Sequence, residues 1–154
     1  MSKGKKRIVI VVSVFICLTL LFIWGNSLVP KNTSTNATIK IHQNISPTLD
    51  KLFGEGTISH FTFRKFIHFF VFFVLSTELL VLFSLLKDIK LKNLLYVLPL
   101  CLVVAIIDES LQILSNRGAS ILDVLRDFIG STTCALIYLV IALVKSKKNR
   151  TKNL

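Results

Sequence analysis

Residues 66–86 read FIHFFVFFVLSTELLVLFSLL, a run of 21 residues in which Glu78 is the one Asp, Glu, Lys or Arg side chain. A bilayer core about 30 Å thick is crossed by roughly 20 apolar residues, because each residue of a helix rises about 1.5 Å. A helix of a soluble protein would interrupt such a run with a polar face. The stretch therefore predicts a transmembrane helix.

Three further apolar blocks predict transmembrane helices at residues 8–24, 94–114 and 121–144. Hydrophobic residues make up 53% of the 154-residue chain, more than in an ordinary soluble domain. The basic start of the first block also fits a secretory signal peptide, but residues 24–27 make a poor cleavage site and more apolar segments follow. We therefore predict an all-α polytopic membrane protein with four transmembrane helices, the first of them uncleaved.

The basic residues predict the orientation of these helices. Twelve of the 19 Lys and Arg residues fall within residues 1–7, 87–93 and 145–154, next to predicted membrane boundaries. The positive-inside rule places such clusters in the cytoplasm, so both termini are predicted to be cytoplasmic. We read the net charge of +11 in the same way and expect no nucleic-acid partner. Residues 25–65 are then an extracytoplasmic loop, with a short interfacial helix at residues 48–53.

No motif in the sequence indicates a cofactor. Cys17, Cys101 and Cys134 each lie inside an apolar block without CxxC spacing, as expected of packing residues. The chain has neither an HExxH metal-ligand motif nor a GxSxG nucleophile motif. We therefore expect no cofactor and no metal, although His68 with several carboxylates leaves a metal site open as the weaker alternative.

Ionisable residues concentrate near one end of the second, third and fourth predicted helices. Counting the rise along each helix places them roughly 6 to 15 Å to the outer side of the membrane midplane. Pairs spaced four residues apart, such as Asp108 and Gln112, share one helix face. Charge that faces lipid costs several kcal/mol, so these faces should turn inward and meet. The candidate polar site comprises Lys65, His68, Asp108, Glu109, Gln112, Arg117, Asp123 and Asp127, with Arg64, Arg126, Gly130 and Glu78 as rim or supporting residues.

Two interpretations of this site stay open, a functional polar site and a self-neutralising ion-pair network that joins three helices. His68 is the candidate for proton transfer or head-group contact, because an imidazole exchanges protons near physiological pH. Glu78 lies alone near the middle of its helix, and we expect either a protonated hydrogen-bonding residue or a proton or ion relay. The phenylalanines of residues 61–73 should face lipid and neighbouring helices, or else form an oily wall for an acyl chain.

Residues 65–144 resemble the VanZ-like family, which is named for a teicoplanin-resistance membrane protein. The matching elements are Lys65 and His68-Phe69, Asp108-Glu109-x-x-Gln112, Arg117, and Asp123-Val124 with Gly130. The chain departs from the family at Asp127, where asparagine is usual, and at Arg126, where an apolar residue is usual. We expect these two residues either to form a compensating charge pair or to alter the site.

This resemblance implies a multi-pass protein of the bacterial plasma membrane. Some members of the family lower susceptibility to lipoglycopeptide antibiotics such as teicoplanin, and the resemblance implies the same role as an expectation for this chain. It supplies no catalytic residue, so an enzymatic activity stays uncertain and a non-enzymatic role is favoured. The expected partners are membrane lipids, a lipid-linked envelope precursor or a lipoglycopeptide, and a second copy of the chain. The alternative functions are a membrane-embedded enzyme that modifies a lipid-linked envelope precursor and a small transporter or flippase that uses Glu78.

Overall fold

The computed structural model describes residues 2–86, 92–118 and 120–152, with side chains up to residue 144. Within these ranges the chain forms five helices and no strand. They are α1 (Lys3–Leu28), α2 (Lys31–Phe53), α3 (His60–Leu86), α4 (Lys92–Leu114) and α5 (Ile121–Lys152). The helices α1, α3 and α4 and the Ile121–Val144 part of α5 are long and apolar enough to cross a membrane. The predicted all-α fold with four spans is thereby confirmed, while its orientation stays a prediction.

The four spanning helices form one bundle in which α3 packs against α1, α4 and α5, and α4 also packs against α1 and α5. Their contact faces bury a core of mostly large apolar side chains: Ile16, Ile23, Phe72, Leu75, Leu80, Val97, Cys101, Ala105 and Cys134. The outward faces carry many exposed apolar side chains, such as Leu21, Phe70 and Leu136. A helix that is apolar all round is typical of a membrane span, so these faces suit lipid.

All four spanning helices extend beyond their predicted spans, α4 by only two residues. Helix α1 begins at Lys3, where the Ser2 hydroxyl accepts a hydrogen bond from the Lys5 amide and caps the helix. Helix α3 begins at His60, six residues before the apolar block. Helix α5 continues through the predicted basic tail to Lys152, because lysine and arginine are good helix formers. The predicted turn after α3 falls largely on residues 87–91, outside the described residues.

Helix α2 is the main difference from the sequence-based expectation of a loop with a helix at residues 48–53. It runs for 23 residues, and its buried or half-buried positions lie along one face, at residues 34, 35, 38, 39, 42, 46, 49 and 50. Pro47 lies inside it and cannot donate to the Gln43 carbonyl. The Ser46 hydroxyl donates to that carbonyl instead, at 3.3 Å. Helix α2 is too polar to count as a membrane span, and its side of the membrane stays a prediction.

Helices α3 and α5 approach each other most closely at Gly130. A Cβ atom at this position would lie 2.3 Å from the Phe69 carbonyl oxygen, closer than any side chain allows. Ser131 and Ser76 hydrogen-bond across the same contact, with the Ser76 hydroxyl donating to the Ser131 carbonyl at 3.1 Å. Small residues allow such close approach in membranes, where lipid removes most of the hydrophobic drive for helices to associate. We call this contact the α3–α5 seam.

Candidate functional site

Four helix ends meet at one end of the bundle: the end of α1, the start of α3, the end of α4 and the start of α5. Most of the predicted site residues lie there, and we call this region the cluster end. Five of its charged or amide side chains are buried in the protein: Asp108, Glu109, Gln112, Arg117 and Asp127. The helix faces that carry these residues therefore point into the bundle, as predicted.

Asp108 joins α1 to α4 at the base of this cluster. It is 1% exposed, and its Oδ1 accepts a short hydrogen bond from the Ser27 hydroxyl of α1. Its Oδ2 accepts from Gln112 Nε2 at 3.0 Å, one turn further along α4. Both carboxylate oxygens are thus held in place by donors from two helices.

Asp127 faces His68 across the contact between α3 and α5, with 3.5 Å between Asp127 Oδ1 and His68 Nδ1. No donor in the described part of the chain makes a well-formed hydrogen bond to that oxygen, which is buried. Arg126 pairs with Asp123 rather than with Asp127. The two departures from the family pattern therefore do not form a compensating pair. Instead Asp127 adds an acid beside His68, and Asp108 is close enough for the three side chains to share one metal ion.

A pocket of about 280 Å³ opens above this layer at the cluster end. Its lining includes five basic side chains but only two acidic ones, which leaves an excess of positive charge with His68 neutral. The basic ones are Lys31, Arg64, Lys65, Arg117 and Arg126; the acidic ones are Asp123 and Asp127; and the others are Phe61, His68, Gln112 and Gly118. Such a lining favours an anionic ligand.

An apolar groove of about 250 Å³ lies beside this pocket, between α3 and α5. Phe66, Phe69 and Ile129 form its apolar surface. Lys65 and Arg126 line both the groove and the pocket, so the two spaces adjoin. Part of the phenylalanine-rich start of α3 thus lines an open groove, whereas Phe72 is buried in the core.

The Arg117 guanidinium donates most of its hydrogen bonds to other groups of the protein. Its Nη1 donates to the Asn26 carbonyl at 2.8 Å, at the end of α1, and its Nη2 donates to the Ser34 hydroxyl at 3.0 Å, in α2. A cation at a helix C-terminus compensates the partial negative charge of the unpaired carbonyls. Arg117 therefore fastens the turn before α5 to the end of α1 and the start of α2, and only part of it faces the pocket.

Glu109 also has a structural contact, because its carboxylate accepts a short hydrogen bond from the Ser120 amide just before α5. Among the supporting residues, Gly130 lies in the α3–α5 seam, where it allows the two helix backbones to approach closely. Glu78 lies apart from the cluster, ten residues or roughly 15 Å further along α3 than His68. Its Oε1 accepts a hydrogen bond from Thr19 of α1 at 3.1 Å.

Three residues outside the predicted site also build the cluster end. Lys31 lines the pocket from the start of α2. Ser27 holds Asp108, and Ser115 donates to the Ser27 carbonyl at 2.8 Å. A polar serine just before Pro30, at the end of an apolar block, was the available signal for Ser27. The sequence held no such signal for Lys31. Its place in the pocket follows from α2 being a helix that starts beside the cluster.

The fold and site define a multi-pass membrane protein with a bundle of four spanning helices and a buried polar cluster at one end. A model of the VanZ/LLP1 family matches residues 8–143, nearly the whole chain. The chain therefore belongs to the VanZ/LLP1 family, as the resemblance predicted. No curated protein and no solved structure matches the chain.

Proposed function

We propose that this chain is a bacterial plasma-membrane protein that binds an anionic amphiphile at the cluster end. Through that binding it lowers susceptibility to lipoglycopeptide antibiotics such as teicoplanin. The observation that carries the proposal is the basic pocket adjoining an apolar groove, with Lys65 and Arg126 lining both. An amphiphile has one charged end and one apolar end, and this pair of spaces offers a separate place for each.

The charged end binds to the basic pocket residues whose side chains make no hydrogen bond or salt bridge with the described residues, namely Lys31, Arg64 and Lys65. Arg117 and Arg126 are already engaged with protein partners. Arg64, half-buried, and Lys65, exposed, line the pocket from α3. A guanidinium binds a phosphate or carboxylate with two parallel hydrogen bonds, and an ammonium adds a compact charge. Arg64 and Lys65 are therefore the main contacts of the anionic group.

The acyl chain lies along Phe66, Phe69 and Ile129 in the groove. Phe66 and Ile129 are exposed on the outside of the bundle, on helix faces that suit lipid, so an acyl chain would enter the groove from its apolar side. The groove then contributes to binding through its shape and close packing, because an acyl chain that comes from lipid gains little from the hydrophobic effect. On this account the protein distinguishes an acylated ligand from one of similar charge without an acyl chain.

The test compares two glycopeptides in a strain with and without the gene. Deletion should lower the inhibitory concentration of teicoplanin, which carries an acyl chain, and leave that of vancomycin unchanged. The double variant Arg64→Gln with Lys65→Gln should behave as the deletion does, at equal abundance in the membrane. Lys40→Gln is the matched control, because Lys40 is an exposed lysine of α2 outside the pocket. Equal susceptibility to both drugs with and without the gene would refute the proposed role.

A second function is favoured by one observation, the contact between His68 and Asp127 at the pocket wall. A carboxylate that orients an imidazole is a common arrangement for general acid–base catalysis. The corresponding activity is that of a membrane-embedded enzyme on a lipid-linked envelope precursor. It predicts that wild-type protein changes the mass profile of extracted lipids and that His68→Gln does not. Identical profiles from wild-type and deletion strains would exclude this function.

A further inference from the structure

Three potential metal ligands from three helices converge beside the pocket. His68 of α3, Asp108 of α4 and Asp127 of α5 each offer one ligand atom, and these atoms lie within 4.8 Å of one another. In a tetrahedral site, ligand atoms held about 2.1 Å from a shared ion lie roughly 3.4 Å apart. Side-chain movements of about 1 Å therefore bring all three into coordination range.

The two carboxylates of this group would also be stabilised by a bound cation. Asp108 and Asp127 are 1% and 2% exposed, so water screens them little. Two ionised carboxylates repel each other strongly when they are buried, and a nearby positive charge offsets that repulsion. Arg117 and Arg126 are held by other partners, which leaves Arg64 and His68 of α3 as the nearby basic groups. One divalent cation would neutralise both carboxylates.

The surrounding contacts orient the ligands as in known metal sites. Ligating carboxylates are usually held by hydrogen bonds from a second layer of residues. Ser27 and Gln112 hold the two oxygens of Asp108 in this way, and each oxygen keeps a free lone pair. Asp127 Oδ1 is buried and lacks a well-formed hydrogen bond within the described chain, and His68 Nδ1 lies 3.5 Å from it. This unsatisfied oxygen faces the position that an ion would occupy.

The three-ligand group also borders open space on two sides. A void of about 20 Å³ adjoins Asp108 and His68, which is enough for one particle the size of a water molecule. His68 lines both this void and the larger pocket, and Asp127 lines the larger pocket. An ion among the three ligands would therefore have coordination positions open toward the pocket.

We propose that His68, Asp108 and Asp127 bind one divalent transition-metal ion, of the Zn²⁺ or Mn²⁺ kind. Imidazole nitrogen with two carboxylates suits these ions, whereas Mg²⁺ and Ca²⁺ prefer oxygen ligands alone. Three protein ligands with open positions are the arrangement of metal sites that also bind an external ligand. The ion would bind an anionic oxygen in the basic pocket, a consequence that rests on the proposed function. Binding of the ion itself does not depend on it.

The experiment measures metal binding by purified full-length protein in detergent, without antibiotic or added lipid. Chelator-washed protein is titrated with ZnCl₂ and with MnCl₂, and bound metal is counted by mass spectrometry after desalting. Wild type should bind one equivalent of at least one of the two ions. Asp127→Asn and His68→Gln should each weaken binding by at least about tenfold, since losing a ligand costs no less than losing its supporting partner.

Two matched controls come from α2. His42→Gln and Asp50→Asn remove the same chemical groups at positions outside the three-ligand group, so they should bind metal as wild type does. No stoichiometric metal in wild type, or equal weakening in controls and ligand variants, would overturn the proposal. A negative result for teicoplanin with intact metal binding would leave the site standing and refute only the proposed function.

A spectroscopic measurement on wild type removes the dependence on variants that fold. Cu²⁺ bound at the site should show nitrogen coupling from one imidazole in its electron-spin-echo spectrum, because one histidine is in the group. Absence of imidazole coupling, or coupling from two or more imidazoles, contradicts the assignment of His68 as the histidine ligand.

Discussion

The cluster end and the α3–α5 seam hold helices of one bundle together by different physical means. At the cluster end, polar side chains from different elements hydrogen-bond one another, as Ser27 does with Asp108 and Arg117 with Ser34. At the seam, the backbone of α5 at Gly130 lies directly against the Phe69 carbonyl of α3. One contact depends on which groups meet, and the other depends on the absence of a side chain.

This difference follows from the membrane as a solvent. Lipid tails are as apolar as leucine, so burial of apolar surface contributes little to helix association there. Close packing at the seam remains available because it needs only small residues. Polar groups are retained at the cluster end because each would otherwise face hydrocarbon without a partner. The seam therefore holds α3 against α5 by close packing, and the cluster end joins further helix ends through hydrogen bonds between specific partners.

The largest expected effect is at the seam, from Gly130→Ala. The added Cβ would lie 2.3 Å from the Phe69 carbonyl oxygen, a backbone atom that cannot move away alone. Overpacking of this kind costs about 3 kcal/mol, so α3 and α5 should separate. Alkylation of Cys134, buried beside Thr77 of α3, should become faster in a Cys17→Ser background, measured by peptide mass spectrometry.

Gly25→Ala is the control for this substitution. Its Cβ would meet nothing within 4 Å, so only the helix propensity changes, by about 1 kcal/mol in favour of the helix. Cys134 should then react as slowly as in wild type. Slow alkylation of Cys134 in Gly130→Ala would show that the seam is not the close contact described here.

The second effect is at the cluster end, from Arg117→Ala. The substitution leaves the Asn26 carbonyl and the Ser34 hydroxyl without their charged donor. Loss of such hydrogen bonds costs about 2 kcal/mol. Because the contacts fasten the end of α1, the single tryptophan, Trp24 of α1, should report the change. The SDS fraction at which Trp24 fluorescence changes should fall.

Arg126→Ala gives the comparison that identifies the cause. Arg126 pairs with Asp123 in a partly exposed contact, and such pairs contribute under about 1 kcal/mol. The SDS midpoint should therefore move little. If Arg126→Ala lowers it as much as Arg117→Ala does, general charge at the cluster end matters rather than the contacts to α1 and α2.

The sequence was sufficient for the spans and for most of the charged residues of the cluster end. Four long apolar blocks have few alternatives to membrane helices. The four-residue spacing of Asp108 and Gln112 placed both on one face, and the cost of charge in lipid turned that face inward. These arguments use helix period and burial alone, and neither depends on details of packing.

The partners of individual side chains could not be predicted in this way. Spacing defines the face of a helix, whereas a partner depends on helix rotation and on axial shifts of a few ångströms. Arg117 was predicted as part of the candidate polar site, yet its guanidinium mainly contacts the end of α1 and Ser34 of α2. Helix α2 was missed because Pro47 and its polar residues are typical of a loop. Its half-buried face became visible only against the bundle.

The smallest expected effect returns to the seam, from Ser76→Ala. The Ser76 hydroxyl donates to the Ser131 carbonyl across the two helices at 3.1 Å, but that carbonyl can still accept a bond within α5. Hydrogen bonds between membrane helices contribute about 0.6 kcal/mol on average. Alkylation of Cys134 should accelerate slightly, far less than in Gly130→Ala. Ser110→Ala, which removes a bond to a carbonyl of its own helix, should leave the rate unchanged. An effect of Ser76→Ala as large as that of Gly130→Ala would mean that hydrogen bonding, rather than close backbone approach, holds the seam together.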